Sequence, residues 1–566
     1  MRIVECVPNI SEGRRREVIE AVVQAAARVP GVTVLNVDPG EETHRTVITF
    51  VAEPEAVVEG AFQLAAKAYE LIDMRTHKGA HPRLGAVDVV PFVPVAGVTM
   101  EECVHLARRL GRRIGEELGV PVYLYEAAAT TPARRNLADI RAGEYEGLAA
   151  KLADPAWRPD FGPAAFLPAS GATVVGARTF LVAFNVNLNT TDRRLANRVA
   201  FDVREKGRKK RDEHGNVVLD ERGEPVWEPG LLKSVKAVGW TIPEFGCAQV
   251  SMNLTNLDET PLHLAFDTCE ERARERGLRV TGAELVGLVP KAALLAAGRH
   301  YLRRMGRPTG VPERVLVNTA VRTMGLSEVK PFNVDERVIE YRLRPPAPLA
   351  AMTLAAFTDE LSTDSPAPGG GSVAALAAAL GAALAAMVSN LSYGKKGFEA
   401  QGDALERIGE RGQALKDELL AAVDADTAAF DRLLAAMRLP KGTPEKEAAR
   451  ARAIADATVD AIEVPLGVLE RCPEIIQLCA EVGRIGLAAS RSDAGVGVQM
   501  ARAGAASAYQ NVCINLPGLD DRERAAALLA RADAAWQRVL TLHPAVEAEI
   551  LGGLRAAAEG GKNEVA

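Results

Sequence analysis

The residues best suited to chemistry lie in one loop and the strand that follows it, RTHKGAHPRLGAVDVVPFV, residues 75–93. The loop carries His77 and His81 together with Lys78 and Arg83. Imidazole is the side chain whose ordinary pKa lets it take up and return a proton near neutral pH. Glycine and proline restrict the backbone, so His81 projects from a defined point. The loop predicts a general base beside an anionic substrate; the simpler alternative is two histidines that only stabilise a turn.

A second candidate is an aspartate in VDADTAAFDRL, residues 423–433. The apolar residues around it follow helical spacing and mark a buried stripe: Leu419, Val423, Phe430, Leu434 and Met437. At about 100° per residue, Asp426 falls inside that stripe, and Asp424 lies roughly 160° away around the helix. A buried carboxyl has a raised pKa, which suits a group that donates and accepts protons near neutrality. The alternative is a core aspartate paired with an arginine or with helix N–H groups.

Two further segments of the C-terminal part are candidate binding features. DSPAPGGGS, residues 364–372, precedes a predicted helix over 372–391, whose N-terminus would be receptive to a carboxylate or phosphate. It lacks the ending of a phosphate-binding P-loop, and in the simpler interpretation Ser372 caps the helix while the glycines allow close packing. A later helix rich in small residues carries three polar groups that either line a pocket or only accompany close helix contacts: Asp493, Asn511 and Asn515.

Length and composition indicate a multidomain protein that acts on small molecules. The 566 residues carry a formal net charge of -6, which does not favour nucleic-acid binding. Seven cysteines without a CxxC pair indicate free thiols in a reducing compartment and no zinc site. The longest apolar run, 373–388, is short for a membrane span, and the N-terminus has no leader-like pattern. We therefore expect a cytoplasmic protein without a membrane partner.

The order of predicted elements supplies the fold class. Residues 1–126 read as strand, helix, two strands, helix and strand, with one more helix and strand, and the same β-α-β-β-α-β order begins again near Phe180. After the linker RLRPPAPLA, alanine and helical periodicity dominate, and about seven helices are expected. The prediction is two α/β, ferredoxin-like βαββαβ subdomains followed by an all-α domain. The predicted boundaries are 1–178, 179–341, a linker over 342–352, and 353–566.

Two further segments remain open from sequence. The Pro- and Gly-rich junction 155–179 contains Trp157, Phe161 and Phe166, which either line a pocket for a flat heterocycle or fill gaps in a packed linker. The charged insertion 206–229 predicts a hairpin at DERGEP. Acidic residues directly follow its basic cluster, so a solvent-exposed surface loop is favoured over a binding site for a polyanion.

Long blocks of the sequence resemble a known family. ECVPNISEG, LIDMRTHKGAHPRLGAVDVVPFVPV and DFGPAAFLPASGA resemble glutamate formiminotransferase. TDSPAPGGGSVAALAAALGAALAAMVSNLSYGKK, VDADTAAFDRLLAAMRLPK and YQNVCINL resemble formiminotetrahydrofolate cyclodeaminase. In that order, the chain resembles the fused bifunctional formimidoyltransferase-cyclodeaminase family.

The resemblance implies two consecutive activities in histidine degradation. The formimino group passes from N-formimino-L-glutamate to N5 of tetrahydrofolate, and the product is then cyclised to 5,10-methenyltetrahydrofolate with release of ammonia. It implies His81 and Asp426 as catalytic residues and no metal. It also implies a homo-oligomer and tetrahydrofolate as co-substrate, with its polyglutamylation open. The implied folate-binding stretch is Gly162, Pro163, Ala164, Ala165, Phe166, Leu167, Pro168, Ala169, Ser170 and Gly171.

Two alternatives of other classes stay open. In one, only the formiminotransferase is active and the helical domain is an oligomerisation platform. In the other, the chain binds or stores folate without turnover.

Overall fold

The computed structural model describes residues 2–41, 43–79, 81–242, 245–343 and 347–559. The chain forms two compact units. The first comprises Met1–Leu294 and Met324–Leu343, and the second comprises Leu295–Thr323 and Arg344–Ala566. Residues 344–346 of the predicted linker lie outside the described part of the chain.

The described strands all lie in the first unit. They are β1 (Ile3–Cys6), β2 (Asn9–Ile10), β3 (Thr33–Gly40), β4 (Arg45–Ala52), β5 (Val87–Ala96), β6 (Val122–Glu126), β7 (Thr173–Ala177), β8 (Val182–Leu188), β9 (Arg208–Lys209), β10 (Trp227–Glu228), β11 (Val235–Ile242), β12 (Cys247–Leu254) and β13 (Val280–Val286).

The helices fall into two series along the chain. Those before the linker are α1 (Arg16–Ala27), α2 (Pro54–Leu71), α3 (Met100–Glu117), α4 (Leu137–Arg141), α5 (Glu144–Ala153), α6 (Arg193–Val203), α7 (Leu262–Arg274), α8 (Lys291–Arg304), α9 (Glu313–Thr323), α10 (Val334–Arg337) and α11 (Ile339–Arg342). Those after it are α12 (Leu354–Leu361), α13 (Gly370–Ser392), α14 (Gly402–Met437), α15 (Pro444–Ile485), α16 (Arg491–Asn515) and α17 (Arg522–Glu559).

The first sheet contains the predicted β-α-β-β-α-β order as β1, α1, β3, β4, α2 and β5. The short strands β1 and β2 both lie between β4 and β5 and run antiparallel to them. Beyond β5, the strands β7 and β6 add in parallel, and β3 pairs with β4 at the other side. The prediction of an α/β first subdomain is confirmed.

Strand alternation gives this sheet two different faces. Val4 and Cys6 of β1 and Phe50 of β4 join the apolar core formed with α1, α2 and α3. Glu5 of β1 and Arg45 of β4 point to the opposite face and line a cavity there. Over β6 and β7, the same face packs against α4 and α5. The polar groups of these strands therefore converge on one side of the sheet.

The second sheet repeats the predicted order as β8, α6, β11, β12, α7 and β13, in the spatial order β11-β12-β8-β13 with antiparallel neighbours. The insertion between α6 and β11 is a small exposed meander. The predicted hairpin at 220–225 is present, and Asp220 accepts N–H bonds from Arg222 and Glu224. A second hairpin with the same hydrogen-bond pattern at Asp212 precedes it. At the base of the meander, Gly230 N–H donates to Glu205 O at 3.2 Å.

The C-terminal part is helical throughout the described residues 347–559, so the predicted all-α domain is confirmed. It contains six α-helices where about seven were expected. Many alanines and glycines allow close helix approach: a Cβ at Gly504 would lie 2.9 Å from Ala374 O. In the described chain, α13 alone is long and apolar enough to cross a membrane by length and composition, and 61% of that window is buried inside the domain. A buried core helix meets the same criterion.

Candidate active sites

His81 lies at the edge of a cavity of about 750 Å³ in the first unit. The cavity is also lined by residues of β6, α4 and the segment after β7, including Tyr125, Arg141 and Arg178, and by Lys236 of β11. His81 is half-buried and follows a loop anchored by hydrogen bonds to neighbouring segments. The predicted base is therefore open to a space large enough for small substrates.

The polar neighbours of the His81 ring are Pro82 and Arg45. Nδ1 lies 2.7 Å from Pro82 O, which can only accept, and 2.7 Å from Nη1 of Arg45, which can only donate. Nε2 lies 3.0 Å from the same Nη1 of Arg45. Burial, and next the positive charge of Arg45, lower the pKa of His81 from its ordinary value. The Arg45 guanidinium therefore stands against the imidazole and disfavours its protonation.

A buried carboxylate positions Arg45. Asp88 of β5 is 1% exposed, accepts Leu84 N–H at 3.0 Å and lies 3.2 Å from Arg45 Nη1. The same carboxylate binds Arg141. Asn9 accepts two further bonds from Arg45, at 2.7 and 3.1 Å. Two guanidinium groups therefore stand beside His81 on a common buried anchor.

The other members of the predicted loop have different surroundings. His77 is buried, stacks on His44 with ring centroids 4.4 Å apart, and its Nε2 donates to His44 O. Arg83 is buried and binds the carboxylates of Glu144 and Glu146 at 2.7 to 3.1 Å. Lys78 is exposed and lines a different cavity, of about 490 Å³. Of the four, His81 is the one that lines the 750 Å³ cavity.

The predicted folate-binding stretch 162–171 contacts the His81 loop without lining the His81 cavity. Ser170 O accepts Ala86 N–H at 2.8 Å, and Gly171 adopts a φ of +69° against Leu84. Phe166 packs on Tyr145 with ring centroids 5.4 Å apart. The individual contacts of the stretch 162–171 to folate stay a prediction.

A second cavity, of about 390 Å³, opens over the uncovered face of the first sheet. It shares five lining residues with the first cavity: Tyr125, Leu137, Arg141, Arg178 and Leu181. Glu5 of β1 lines it and is 4% exposed. Burial raises the pKa of Glu5 to about 7, against the opposing positive charge of Arg178.

In the helical unit, Asp426 of α14 lies against the three-glycine turn that begins α13. A Cβ at Gly371 would come within 2.5 Å of the carboxyl carbon of Asp426, and one at Gly370 would lie 3.4 Å from Asn511 Nδ2. The glycine segment, the inward aspartate and one of the three later polar residues are thus brought together. Asn515 instead donates to Ala461 O.

The hydrogen bonds around Asp426 correct one expectation. The helix begins at Gly370, so Ser372 lies within the first turn and makes no cap. Its hydroxyl lies 2.8 Å from Val423 O and 3.3 Å from Oδ2 of Asp426. The side chain that occupies this helix N-terminus is the chain's own Asp426. Burial raises the pKa of Asp426, opposed by its hydrogen bonds to Ser372, and no ion pair joins it to a described residue.

Three family models match successive parts of the chain. "Formiminotransferase domain, N-terminal subdomain" matches residues 3–178, "Formiminotransferase domain" matches 183–344, and "Formiminotransferase-cyclodeaminase" matches 353–534. A pig protein named Formimidoyltransferase-cyclodeaminase is 45% identical over 550 residues, which cover 95% of this chain and 98% of that protein. The chain belongs to the formimidoyltransferase-cyclodeaminase family.

Relatives also match each half alone. Glutamate formimidoyltransferase of Streptococcus pyogenes is 41% identical over 302 residues, 53% of this chain and 94% of the relative. Methenyltetrahydrofolate cyclohydrolase of Methylorubrum extorquens is 42% identical over 195 residues, 33% of this chain and 93% of the relative. This member of the formimidoyltransferase-cyclodeaminase family is an enzyme with a transferase part and a cyclodeaminase part, as predicted.

Some residues at the sites of this formimidoyltransferase-cyclodeaminase family member were missed from sequence. Asp88 had a usable signal, since a carboxylate within the apolar strand VDVVPFV needs a buried partner. The alternation of residues within β4 and β1 assigns Arg45 and Glu5 each to one face of its strand. It does not show which face of the sheet lines a cavity. Among the described residues, no group of three or more His, Cys, Asp or Glu side chains is arranged to hold a metal ion.

Proposed function

We propose that the transferase part moves the formimino group from N-formimino-L-glutamate to N5 of tetrahydrofolate. The cyclodeaminase part then cyclises 5-formiminotetrahydrofolate to 5,10-methenyltetrahydrofolate and releases ammonia, a step of histidine degradation. The observation that carries the proposal is the presence, in the two separately matched parts, of His81 with a lowered pKa at a cavity and a half-buried Asp426 with a raised pKa.

His81 acts as general base in the transfer. N5 must lose a proton as it bonds to the formimino carbon, and the imidazole of His81 accepts it. When the bond from carbon to the glutamate nitrogen breaks, the imidazolium returns that proton to the leaving nitrogen. Asp88 partly offsets the positive charge of Arg45 and Arg141 beside the transient imidazolium. Arg141 and Arg178 line the His81 cavity and are suited to the substrate's carboxylates.

Asp426 moves protons in the cyclisation. N10 attacks the formimino carbon and loses its proton, and the departing nitrogen must be protonated before it leaves as ammonia. Burial raises the pKa of Asp426, which favours its protonated form and suits it to alternate between the two roles.

The assay that tests both steps supplies formiminoglutamate and tetrahydrofolate to the full-length protein. Ammonia and the absorbance of methenyltetrahydrofolate should appear together. Ammonia without lasting methenyl absorbance would indicate that the product is hydrolysed further, the reaction named for the Methylorubrum relative. Absence of both would contradict the proposal.

The chain also carries an uncovered apolar stripe that supports a homo-oligomer. Exposed residues of α13 recur along one side of the helix: Val373, Leu380, Met387 and Leu391. This stripe would equally serve a helical domain that is only an oligomerisation platform. Supplying 5-formiminotetrahydrofolate directly separates the two ideas, because a platform releases no ammonia. A protein that only stores folate would bind it without any turnover. We also propose a cytoplasmic location. Whether the enzyme prefers mono- or polyglutamylated tetrahydrofolate is tested by comparing the KM values of the two forms.

The charges beside His81 predict opposite shifts in the pH dependence of transfer. Activity requires the neutral imidazole, so it falls as pH drops through the pKa of His81. Arg45→Gln removes a positive charge, raises that pKa and should move the acid limb of kcat/KM to higher pH. Asp88→Asn removes a negative charge and should move the limb to lower pH.

The matched control is Asp160→Asn. Asp160 forms a similarly buried pair with Arg134, at 2.8 Å, away from both cavities. This variant should lose stability without moving the acid limb. Shifts of the same sign in the first two variants would show that their charges do not act on His81.

The fit of Gly371 against Asp426 predicts that one methyl group impairs cyclisation. In Gly371→Ala, the new Cβ overlaps the Asp426 carboxyl and displaces it. A displacement of this size at a reacting group costs about 10²-fold in rate. Gly369→Ala is the control in the same turn, because a Cβ there meets nothing within 4 Å. Cyclisation of supplied 5-formiminotetrahydrofolate should fall in the first variant and persist in the second, and equal rates would contradict the role of this contact.

A further inference from the structure

Glu5 has the features of a ligand-binding carboxylate that the transfer mechanism does not use. It is 4% exposed, lines the 390 Å³ cavity, and accepts no hydrogen bond from another described side chain or backbone group. Its charged neighbour is Arg178, which acts on it through space. A buried carboxylate without donors is costly, so the position gains free energy when a ligand supplies them.

The surroundings of Glu5 define the shape of that ligand. Apolar groups line the sheet face near it and the facing wall, beside polar asparagine, threonine and arginine side chains: Val7, Val47, Val89, Pro91, Phe180 and Leu288 are the apolar members. A flat ring system fits against such a face, with its polar edge directed at the carboxylate. The two oxygens of Glu5 can accept two parallel N–H donors.

We propose that Glu5 binds the pyrimidine edge of the reduced pterin through its N3–H and 2-amino groups. This inference deepens the proposed function and rests on it, because it requires tetrahydrofolate as co-substrate. The pyrimidine ring is fused to the ring that contains N5. A pterin with N5 at His81 therefore extends its pyrimidine edge away from the reacting atoms, toward the adjoining cavity that shares Tyr125, Arg141 and Arg178.

The second cavity also holds Arg45, Arg141 and Arg178, which offset the charge of Glu5 and attract carboxylates. Glu5 is the carboxylate in this lining, so it is the group suited to paired N–H donors. A role for Glu5 in moving the reacting proton is disfavoured, because His81 lines the first cavity and Glu5 lines the second. Glu5 is thus a substrate-binding residue that selects the pterin.

The test combines Glu5→Gln with a substrate analogue that carries a methyl group in place of the 2-amino group. Binding to the full-length protein is measured calorimetrically without formiminoglutamate, and KM is measured for each substrate. Losing hydrogen bonds to a charged acceptor should raise the Kd of tetrahydrofolate about 10- to 100-fold. The KM of formiminoglutamate should stay unchanged. The analogue keeps N3–H but lacks the second donor, so it should bind wild type more weakly than tetrahydrofolate does, and Glu5→Gln should raise its Kd by a smaller factor.

The control variant is Glu284→Gln, a buried carboxylate of β13 that binds Asn185 and Lys330 and lines neither cavity. It should retain the wild-type Kd. Glu5→Gln removes a buried charge that receives no hydrogen bond in the free protein, so the Tm of the variant should not fall. An unchanged tetrahydrofolate Kd in Glu5→Gln, or an equal loss for tetrahydrofolate and the analogue, would overturn the inference. Failure of the proposed function looks different, because wild type itself would then neither bind tetrahydrofolate nor transfer the formimino group.

Discussion

Replacing His81 by alanine is expected to lower the kcat of formimino transfer by about 10²- to 10⁴-fold, the range for a general base. Among the titratable residues of its loop, His81 is the one that lines the 750 Å³ cavity. Alanine has no group that can accept the N5 proton. The measurement is the rate of 5-formiminotetrahydrofolate formation. Cyclisation of supplied 5-formiminotetrahydrofolate should be unchanged, because it depends on a different domain.

The control for that experiment is His105→Ala, which removes an exposed imidazole of α3 and should leave both activities intact. Transfer by His81→Ala at a rate near that of wild type would show that another group accepts the N5 proton. Loss of transfer in the His105 variant would point to a general loss of folding instead.

Replacing Asp426 by asparagine is expected to stop the second reaction and spare the first. Asparagine keeps the size of the side chain and can still accept from Ser372, but it cannot deliver a proton at neutral pH. Ammonia release should fall by about 10²- to 10⁴-fold while 5-formiminotetrahydrofolate accumulates. Both products can be followed in one coupled assay.

The same helix provides the matched control. Asp424, two residues earlier, accepts the backbone N–H groups of Leu349 and Ala350 at 2.9 and 3.2 Å. Asp424→Asn should weaken that attachment and lower Tm slightly while cyclisation continues. If the two variants had exchanged outcomes, Asp424 would be the proton carrier and the assignment of Asp426 would be wrong.

The sequence predicted the order of elements well because hydrophobic periodicity depends on local neighbours. Both β-α-β-β-α-β units and the helical domain followed from it, and the helical angle separated Asp426 from Asp424. The error at Ser372 was also local. The helix begins two residues earlier than the cap preference suggests, because glycine there allows the approach of Asp426.

The remaining site residues come from distant strands. Arg45, Asp88 and Arg141 meet through pairing of β4 with the strands beside it and through the position of α4. Periodicity assigns each to a face but gives neither the partner nor the cavity. Glu5 is the clearest case, since its importance depends on a cavity whose walls come from distant parts of the chain.

The meander between α6 and β11 has its own consequence for how such chains diversify. Its two ends are fastened where Gly230 donates to Glu205, and the two hairpins project into solvent beyond that point. The entropy cost of closing a loop rises only slowly with its length, so residues added at the tip of the meander cost little stability. Insertions, deletions and substitutions in this meander are therefore compatible with an unchanged catalytic scaffold.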